Sequence, residues 1–171
     1  RDEVVTWYLW AIPLLPGIGA ALNGLAGIRL FPKRVAGVVG CAAMAGSLGV
    51  SLLAFRRLLA LPADARIIDV VLADWIPAMA AVSRDGVGVR LAVPWALRLD
   101  PLAALMVLVV TGIGTLIHVY ATAYMHDEPR PAVARFFAYL NLFCFFMLLL
   151  VLGSNFLVMF VGWEGVGLSS Y

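Results

Sequence analysis

Charged residues are scarce in this sequence, and their scarcity excludes most soluble folds. Asp, Glu, Lys and Arg make up 13% of the 171 residues, while 64% are hydrophobic, and the mean hydropathy is +1.01. This composition is typical of an integral membrane protein. The formal net charge is only +2, and no basic stripe carries interleaved aromatic residues, which argues against a nucleic-acid partner.

Cysteine and histidine are also scarce, which excludes the common metal and cluster sites. Cys41 and Cys144 lie far apart in apolar segments, without the close Cys or His spacing that zinc or iron–sulfur sites need. No Gly-x-Gly-x-x-Gly string follows a strand-like run, which argues against a dinucleotide site. We therefore expect no metal and no cofactor in this chain, and interpret both cysteines as small buried apolar residues.

An initiator methionine is absent, and the last apolar run stops unfinished. These two features predict a fragment of a longer membrane protein, with the C-terminal helices of the same subunit missing. Arg1-Asp2-Glu3 is not the basic leader of a signal peptide, and the apolar run after it is too long for one.

Apolar runs that are long enough to cross a bilayer, at about 20 residues per helix, dominate the rest of the chain. We predict an all-α integral membrane protein with a single domain over residues 1–171, a bundle of about five transmembrane helices with the fifth truncated. The predicted spans cover residues 4–28, 35–55, 100–121, 135–152 and 156–171.

Local signals add detail to these spans. Pro13 and Pro16 predict kinks in the first span, which are tolerated where neighbouring helices re-satisfy the freed backbone groups. Small residues recur at helical spacing in the second span and predict close helix packing. Asp100 and Pro101 suit the N-cap and the first helical position of the third span.

Residues 58–99 form the one long extramembrane loop, in which basic and acidic residues roughly balance. Apolar residues alternate with others over Val87–Val93, the two-residue period of a half-buried strand, and Ser83–Gly86 is predicted to be the turn before it. We therefore predict a small β-hairpin. Because a lone hairpin is marginal in water, it should lie against the helix ends or a partner subunit.

Glu164 is the only charge in the last apolar run, nine residues beyond Asn155. With Gly153-Ser154-Asn155 at the membrane interface, a rise of ~1.5 Å per residue places its carboxylate roughly 13–14 Å deep, near the middle of the hydrocarbon layer. Ionising a carboxylate there costs at least a few kcal/mol, so it should face protein or water. Moving a neighbouring charge could switch its proton occupancy, which is the chemistry of a proton relay.

The helical face of Glu164 is predicted to contain six further residues: Leu157, Phe160, Val161, Gly167, Leu168 and Tyr171. We expect Gly167 to leave room for another helix or a water file, and Tyr171 to be able to hydrogen-bond to the carboxylate. The alternative is a Glu164 that stays protonated and only hydrogen-bonds a neighbouring helix.

His118 is the second titratable candidate in a span. It lies seventeen residues past Pro101, which is about 26 Å along a helix and therefore near the opposite membrane interface. Such a histidine is either a cap or surface residue or, through its intrinsic pKa, a proton relay. His126 is a weaker candidate in a polar loop, and Asn23 and Asn141 are expected to serve helix packing.

Four stretches together resemble one protein family. They are Trp95–Leu102, Leu116–Ala121 with Tyr124-Met125, Arg135–Phe143, and the string Gly-Trp-Glu-Gly-Val-Gly-Leu-Ser-Ser-Tyr at residues 162–171. The pattern is similar to the large antiporter-like subunit of proton-pumping NADH:quinone oxidoreductase, respiratory complex I, which is called subunit L in bacteria and subunit 5 in mitochondria. The likeness is close from Trp95 onward and only hydropathic before it.

The resemblance implies a proton-translocating subunit that couples quinone reduction to proton transport through Glu164 and has no redox centre of its own. It implies other membrane subunits as partners, a bacterial plasma membrane, short loops on the cytoplasmic side, and a hairpin on the opposite face that links neighbouring subunits. It also implies that Glu164 pairs with a lysine on a later broken helix. The only lysine here, Lys33, is predicted to lie in a loop.

Two other interpretations stay open at this point. One is a subunit of a multisubunit cation/proton antiporter or of a related F420-type dehydrogenase complex, in which an intramembrane glutamate would also move protons. The other is a helical scaffold in which Glu164 only donates a hydrogen bond. Exchange of Glu164 would separate both transport interpretations from the scaffold.

Overall fold

A computed structural model of the chain describes residues 8–82 and 88–171. It is helical apart from one two-stranded antiparallel sheet. The helices are α1 (Tyr8–Leu30), α2 (Lys33–Ala60), α3 (Pro101–Tyr124), α4 (Arg130–Leu152) and α5 (Phe156–Ser170), and the strands are β1 (Ile68–Val82) and β2 (Gly88–Leu99). The first four helices are long and apolar enough to cross a membrane. The predicted fold class, a membrane helix bundle with a small hairpin between the second and third helices, is confirmed.

Two of the short connections between helices lie on the same side of the bundle. Residues 31–32 join α1 to α2 and residues 125–129 join α3 to α4, so both connections lie at one end, called the loop end below. The hairpin connects α2 to α3 at the other end, called the hairpin end. Helix α4 is the centre of the packing, since it contacts all four other helices.

Helix α1 contains Pro13 and Pro16, the two prolines of the first predicted span, and a π-helical segment, Leu22–Gly27. Pro16 has no N–H to offer the carbonyl of Ile12, four residues earlier. The hydroxyl of Ser47 on α2 donates to that carbonyl instead, with an O···O distance of 2.6 Å. The prediction that a neighbouring helix satisfies a freed backbone group is therefore confirmed for Pro16, through a buried serine that no sequence signal singled out.

Helix α3 begins as its local sequence predicts. Pro101 occupies the first turn, and the Asp100 side chain accepts a hydrogen bond of 2.7 Å from the backbone N–H of Ala103. Such a cap satisfies one of the donors that a helix start leaves without a partner. The sequence signal was sufficient here because the contact spans only three residues.

Replacing Asp100 with alanine is expected to lower the free energy of unfolding by about 1 kcal/mol, because the N–H of Ala103 loses its acceptor. Thermal unfolding of the purified full-length protein measures the change. Asp100→Ser is the matched control, since its hydroxyl can cap the same N–H and should keep most of the stability. Equal losses in both variants would contradict the capping role.

The hairpin is longer than predicted. Ile68 pairs with Leu99 at its base, and the pairing continues to Val82 and Gly88 with three register irregularities. From Gly88 onward, the predicted strand Val87–Val93 corresponds to the first part of β2, and Val87 itself lies outside the described residues. The predicted hairpin implied a first strand, but the bounds of β1 were not predicted because its sequence lacks a clean two-residue alternation. The predicted turn Ser83–Gly86 and the start of the chain through residue 7 lie outside the described residues.

The base of the hairpin packs against the helix ends, as predicted. Leu97 and Leu99 are buried in one apolar cluster with Leu58 at the end of α2 and Leu152 at the end of α4. Burial of a leucine side chain contributes roughly 1.5–3 kcal/mol, so this cluster is what orders an otherwise marginal hairpin. The strand then supports the turn into α5, because the backbone N–H of Ser154 donates to the carbonyl of Ala96 at 3.2 Å.

One ion pair crosses the strands at the base of the hairpin. Arg98 and Asp69 face each other in the register, and the guanidinium donates two hydrogen bonds to the carboxylate, at 2.7 and 2.9 Å. The hydrogen bond and charge of Asp69 raise the pKa of Arg98 above its usual value. Because both side chains are about half exposed, this pair fixes register more than it adds stability.

Candidate functional site

Glu164 is positioned by the start of α5. The side chain of Asn155 caps this helix by accepting from the N–H groups of Leu157 and Val158, both at 3.1 Å. Its amide also donates to the carbonyl of Pro94 on β2 at 2.8 Å. The helix therefore starts at a fixed point against the hairpin, and Glu164 follows in its third turn.

Two glycines determine which face of α5 packs against α4. A Cβ on Gly162 would lie 2.5 Å from the backbone nitrogen of Leu150, and a Cβ on Gly165 would fall on the ring of Phe146. Both glycines are buried, so α4 approaches as closely as side-chain-free positions allow. Glu164 lies about 100° from Gly165 and about 200° from Gly162 around the helix, and therefore points away from α4.

The face of α5 that carries Glu164 is uncovered by the described part of the chain. We call it the open face, and it consists of Phe160, Glu164, Gly167, Leu168 and Tyr171, all of them exposed. Leu168 is 74% exposed, and nothing lies within 4 Å of a Cβ placed on Gly167. The room expected at Gly167 is present.

No described side chain pairs with Glu164. Among residues 8–76 and 92–171, its carboxylate makes no hydrogen bond and no ion pair, and the expected hydrogen bond from Tyr171 is not formed. A carboxylate in an apolar helix needs a donor or water to remain ionised. Within the described residues, no side chain supplies Glu164 with such a donor.

His118 lies in the interior and not at the surface, which corrects the cap or surface interpretation. It is 0% exposed. His118 follows Gly114 by one turn of α3, on the face of α3 that packs against α2 and α4. Its Nδ1 lies 2.7 Å from the carbonyl oxygen of Gly114. Since a carbonyl oxygen can only accept a hydrogen bond, Nδ1 carries the proton and donates it. Nε2 can then form a hydrogen bond with another partner.

The Nε2 atom of His118 has no hydrogen-bond partner among the described residues, although it is buried. The ring packs beside Phe137 of α4, with centroids 6.1 Å apart. His118 also lines a cavity of about 220 Å³ between α3 and α4 that contains Cys144. Apart from His118 and Cys144, the side chains that line this cavity are apolar, so it offers a water few polar partners besides the imidazole.

The other titratable and polar candidates divide between surface and core. The side chain of His126 is 84% exposed, with Nδ1 3.1 Å from the carboxylate of Asp127. Asn23 and Asn141 are fully buried and donate to the carbonyls of Ala36 and Phe137, at 3.1 and 2.9 Å, which confirms their expected packing roles. The Oδ1 atom of each asparagine lacks a partner in the described structure.

The two cysteines differ in exposure. Cys144 is buried as predicted, whereas Cys41 is only partly buried and lines a groove at the loop end. Within the described residues, no three His, Cys, Asp or Glu side chains come together in a way that could hold a metal ion. Glu164 and His118 lie on different helices, and no hydrogen bond connects them in the part of the chain that the structure describes.

The sequence of this chain is similar to the sequences of several known proteins. Residues 87–137 match the family model described as the N-terminus of chain 5 of NADH-ubiquinone oxidoreductase, complex I. The chain is 38% identical over 166 residues to NADH-quinone oxidoreductase subunit L of Mycobacterium tuberculosis strain H37Rv, covering 97% of this chain and 24% of the relative.

Two further relatives extend the comparison. The chain is 42% identical over 165 residues to NADH-quinone oxidoreductase subunit L of Rhodobacter capsulatus, covering 94% of this chain and 21% of that protein. It is 53% identical over 77 residues to NADH-ubiquinone oxidoreductase chain 5 of Allomyces macrogynus, covering 45% of this chain and 12% of the relative. The chain thus spans about a quarter or less of the length of these relatives, and by its sequence it belongs to the family of NADH-quinone oxidoreductase subunit L and NADH-ubiquinone oxidoreductase chain 5.

Proposed function

We propose that this chain is part of a proton-translocating membrane subunit of NADH:quinone oxidoreductase, in which Glu164 takes up and releases the transported proton. The names of the relatives support the enzyme, and the four apolar helices support an integral membrane location. In this proposal the electron transfer takes place in other subunits, and this chain binds no redox cofactor. Two of the relatives named subunit L are bacterial, which supports a bacterial plasma membrane.

The observation that carries the proposal is the placement of Glu164 on the open face of α5. Gly162 and Gly165 turn the carboxylate away from α4 and toward a surface that the described residues leave uncovered. A carboxylate held in this position changes its affinity for a proton when a cation approaches or withdraws, because the cation stabilises only the ionised form. We propose as that cation a lysine on a later broken helix of the same subunit, as the resemblance implies.

The test is proton transport by the full-length protein, assembled in its complex in membrane vesicles. NADH-driven proton uptake and quinone reduction are measured together for Glu164→Gln and for the unaltered protein. A pumping defect with the complex assembled supports the proposal. Unaltered pumping would overturn it and leave a neutral carboxylic acid in a scaffold helix.

We propose a proton-relay role for His118 as well, supported by its buried and unpaired Nε2 atom. With Nδ1 donating to Gly114, the lone pair of Nε2 is free to accept a proton. Other subunits of the complex and the lipid bilayer are the partners in this proposal.

Replacing His118 with glutamine is expected to lower proton uptake per quinone reduced, because glutamine hydrogen-bonds but cannot carry a proton at physiological pH. The same vesicle assay measures the effect. His126→Gln is the matched control, since His126 is exposed at the loop end and should be silent. An unchanged ratio of protons to quinone in His118→Gln, with normal assembly, would restrict His118 to a packing role.

A further inference from the structure

A groove opens at the loop end of the bundle, away from both Glu164 and the hairpin. It lies between the start of α2, the end of α3 and the start of α4, and it has a volume of about 730 Å³. We call it the loop-end groove, and its lining residues are Pro32, Lys33, Arg34, Gly37, Val38, Cys41, Thr122, Met125, His126, Val133 and Phe137. Its size falls within the range of about 300–1,000 Å³ in which proteins hold small ligands.

The walls of the loop-end groove are apolar and continue into the lipid-facing surface. Gly37, Val38 and Cys41 line one wall along the first turns of α2, and Phe137 of α4 closes the bottom. Val38 is 66% exposed, so the groove opens sideways as well as toward the loop end. An occupant can therefore reach it from within the hydrocarbon layer.

The mouth of the groove is basic. Lys33 and Arg34 form part of the lining, and the loop end as a whole contains five basic residues, Arg29, Lys33, Arg34, Arg130 and Arg135, against two acidic ones, Asp127 and Glu128. Asp127 pairs with His126, and neither acidic residue lines the groove. The net charge that an occupant meets at the mouth is therefore positive.

Two cross-loop contacts hold this mouth in place. The ammonium of Lys33 donates to the carbonyl of His126 at 3.1 Å, which ties the start of α2 to the loop after α3. Arg130 donates to the carbonyl of Arg29, which ties the start of α4 to the end of α1. An ammonium has three donors, so Lys33 keeps donors for an anion, and the exposed Arg34 has no partner among the described residues.

We propose that the loop-end groove binds an anionic phospholipid. Its headgroup phosphate lies at Lys33 and Arg34, and one acyl chain follows Gly37, Val38 and Cys41 toward Phe137. A basic mouth at the headgroup level above an apolar wall that is open to the bilayer matches an amphiphile with a negative head. A transmembrane helix of a partner would fill the wall but would leave the cations without counter-charge, so charge complementarity favours the lipid.

Alkylation of Cys41 measures occupancy of the groove directly. The full-length protein in its complex is placed in nanodiscs of phosphatidylcholine alone or with added phosphatidylglycerol, treated with N-ethylmaleimide, and analysed by peptide mass spectrometry. Phosphatidylglycerol is expected to slow alkylation of Cys41 several-fold, because an acyl chain covers the thiol. The buried Cys144 is the internal reference and should not respond.

Charge and shape variants identify the groove as the site. Arg34→Gln is expected to raise the amount of phosphatidylglycerol needed for half-protection by about five-fold, the effect of one basic residue near an anionic membrane surface. Arg56→Gln is the matched control, because it removes an exposed arginine from the opposite end of the same helix. Val38→Trp should fill the groove and abolish the lipid dependence, whereas Val35→Trp, one turn earlier and outside the lining, should not.

Four results would overturn the proposal. Equal protection by phosphatidylcholine would indicate ordinary bilayer lipid without headgroup recognition. Protection by inorganic phosphate in detergent, without lipid, would indicate a simple anion site. A Cys41 that is unreactive under every lipid condition would indicate that polypeptide covers the groove. Unchanged lipid dependence in Arg34→Gln would place the phosphate elsewhere.

Discussion

Glu164→Gln is expected to block proton transfer through this subunit while the complex assembles normally. Glutamine preserves the shape and hydrogen bonding of the side chain but cannot bind and release a proton. Loss of an acid–base group slows a proton transfer by roughly 10²-fold or more, which is enough to stop transfer at this site during turnover. The expected result is a fall in protons taken up per quinone reduced, measured in sealed vesicles with NADH as donor.

The matched control is Glu128→Gln. Glu128 is the other described glutamate, and it is exposed in the loop between α3 and α4. The two exchanges remove the same group, one from an apolar helix and one from water, so only the first should affect pumping. Equal pumping by Glu164→Gln and Glu128→Gln, with equal assembly, would exclude Glu164 from the proton path. Glu164→Ala is less informative, since it removes side-chain volume as well as the proton.

Gly162→Ala is expected to have the largest effect on stability. Its Cβ would lie 2.5 Å from the backbone nitrogen and 2.7 Å from the Cα of Leu150. Backbone atoms cannot rotate away as a flexible side chain can, so α5 must separate from α4. Overpacking of this kind costs about 1–3 kcal/mol, although alanine favours a helix over glycine by about 1 kcal/mol. Thermal unfolding of the full-length protein, or its yield in the assembled complex, measures the loss.

Gly167→Ala is the control from the same motif. Nothing in the described structure lies within 4 Å of its Cβ, so the helix propensity of alanine should leave stability unchanged or slightly higher. If Gly162→Ala were as stable as Gly167→Ala, the close approach of α4 and α5 would be wrong. If only Gly167→Ala were destabilised, another part of the full-length protein would pack against the open face.

The Gly162 and Glu164 experiments also test each other. Displacement of α5 in Gly162→Ala should reduce both stability and pumping, because it moves the carboxylate away from the lysine proposed as its partner. Glu164→Gln should reduce pumping alone. A shared loss of stability in both variants would assign Glu164 to packing, which is the scaffold interpretation. The lipid experiment at the loop end is independent of both, since its readout is alkylation of Cys41.

Short-range features were predictable because their partners are close in sequence. The cap by Asp100 spans three residues, and its oxygen accepts from Ala103 as the Asp-Pro start indicated. The hairpin was only partly predictable: alternation marked the beginning of β2, but β1 is recognisable chiefly because β2 pairs with it and because Leu97 and Leu99 bury its base. Strand pairing is a contact between distant residues, so periodicity within one strand predicts it poorly.

The burial of His118 could not be predicted from its depth along α3. Counting residues from Pro101 places it near a membrane interface, but depth does not specify which side of α3 it occupies relative to the neighbouring helices. Packing of α3 against α2 and α4 made it a fully buried residue beside Phe137. The same limit applies to Ser47, whose hydroxyl completes the backbone at Pro16 across a helix interface.

The membrane class, the helical segments and the carboxylate in the last apolar run were predictable from the sequence, because apolar run length and isolated charge are properties of consecutive residues. The face of α5 that meets α4 became known only from the packing of the two helices. Gly162 and Gly165 admit the neighbouring helix, and the rise and turn of the helix then direct Glu164 to the open face. That direction depends on contacts between α4 and α5, and it leaves Glu164 exposed on the open face.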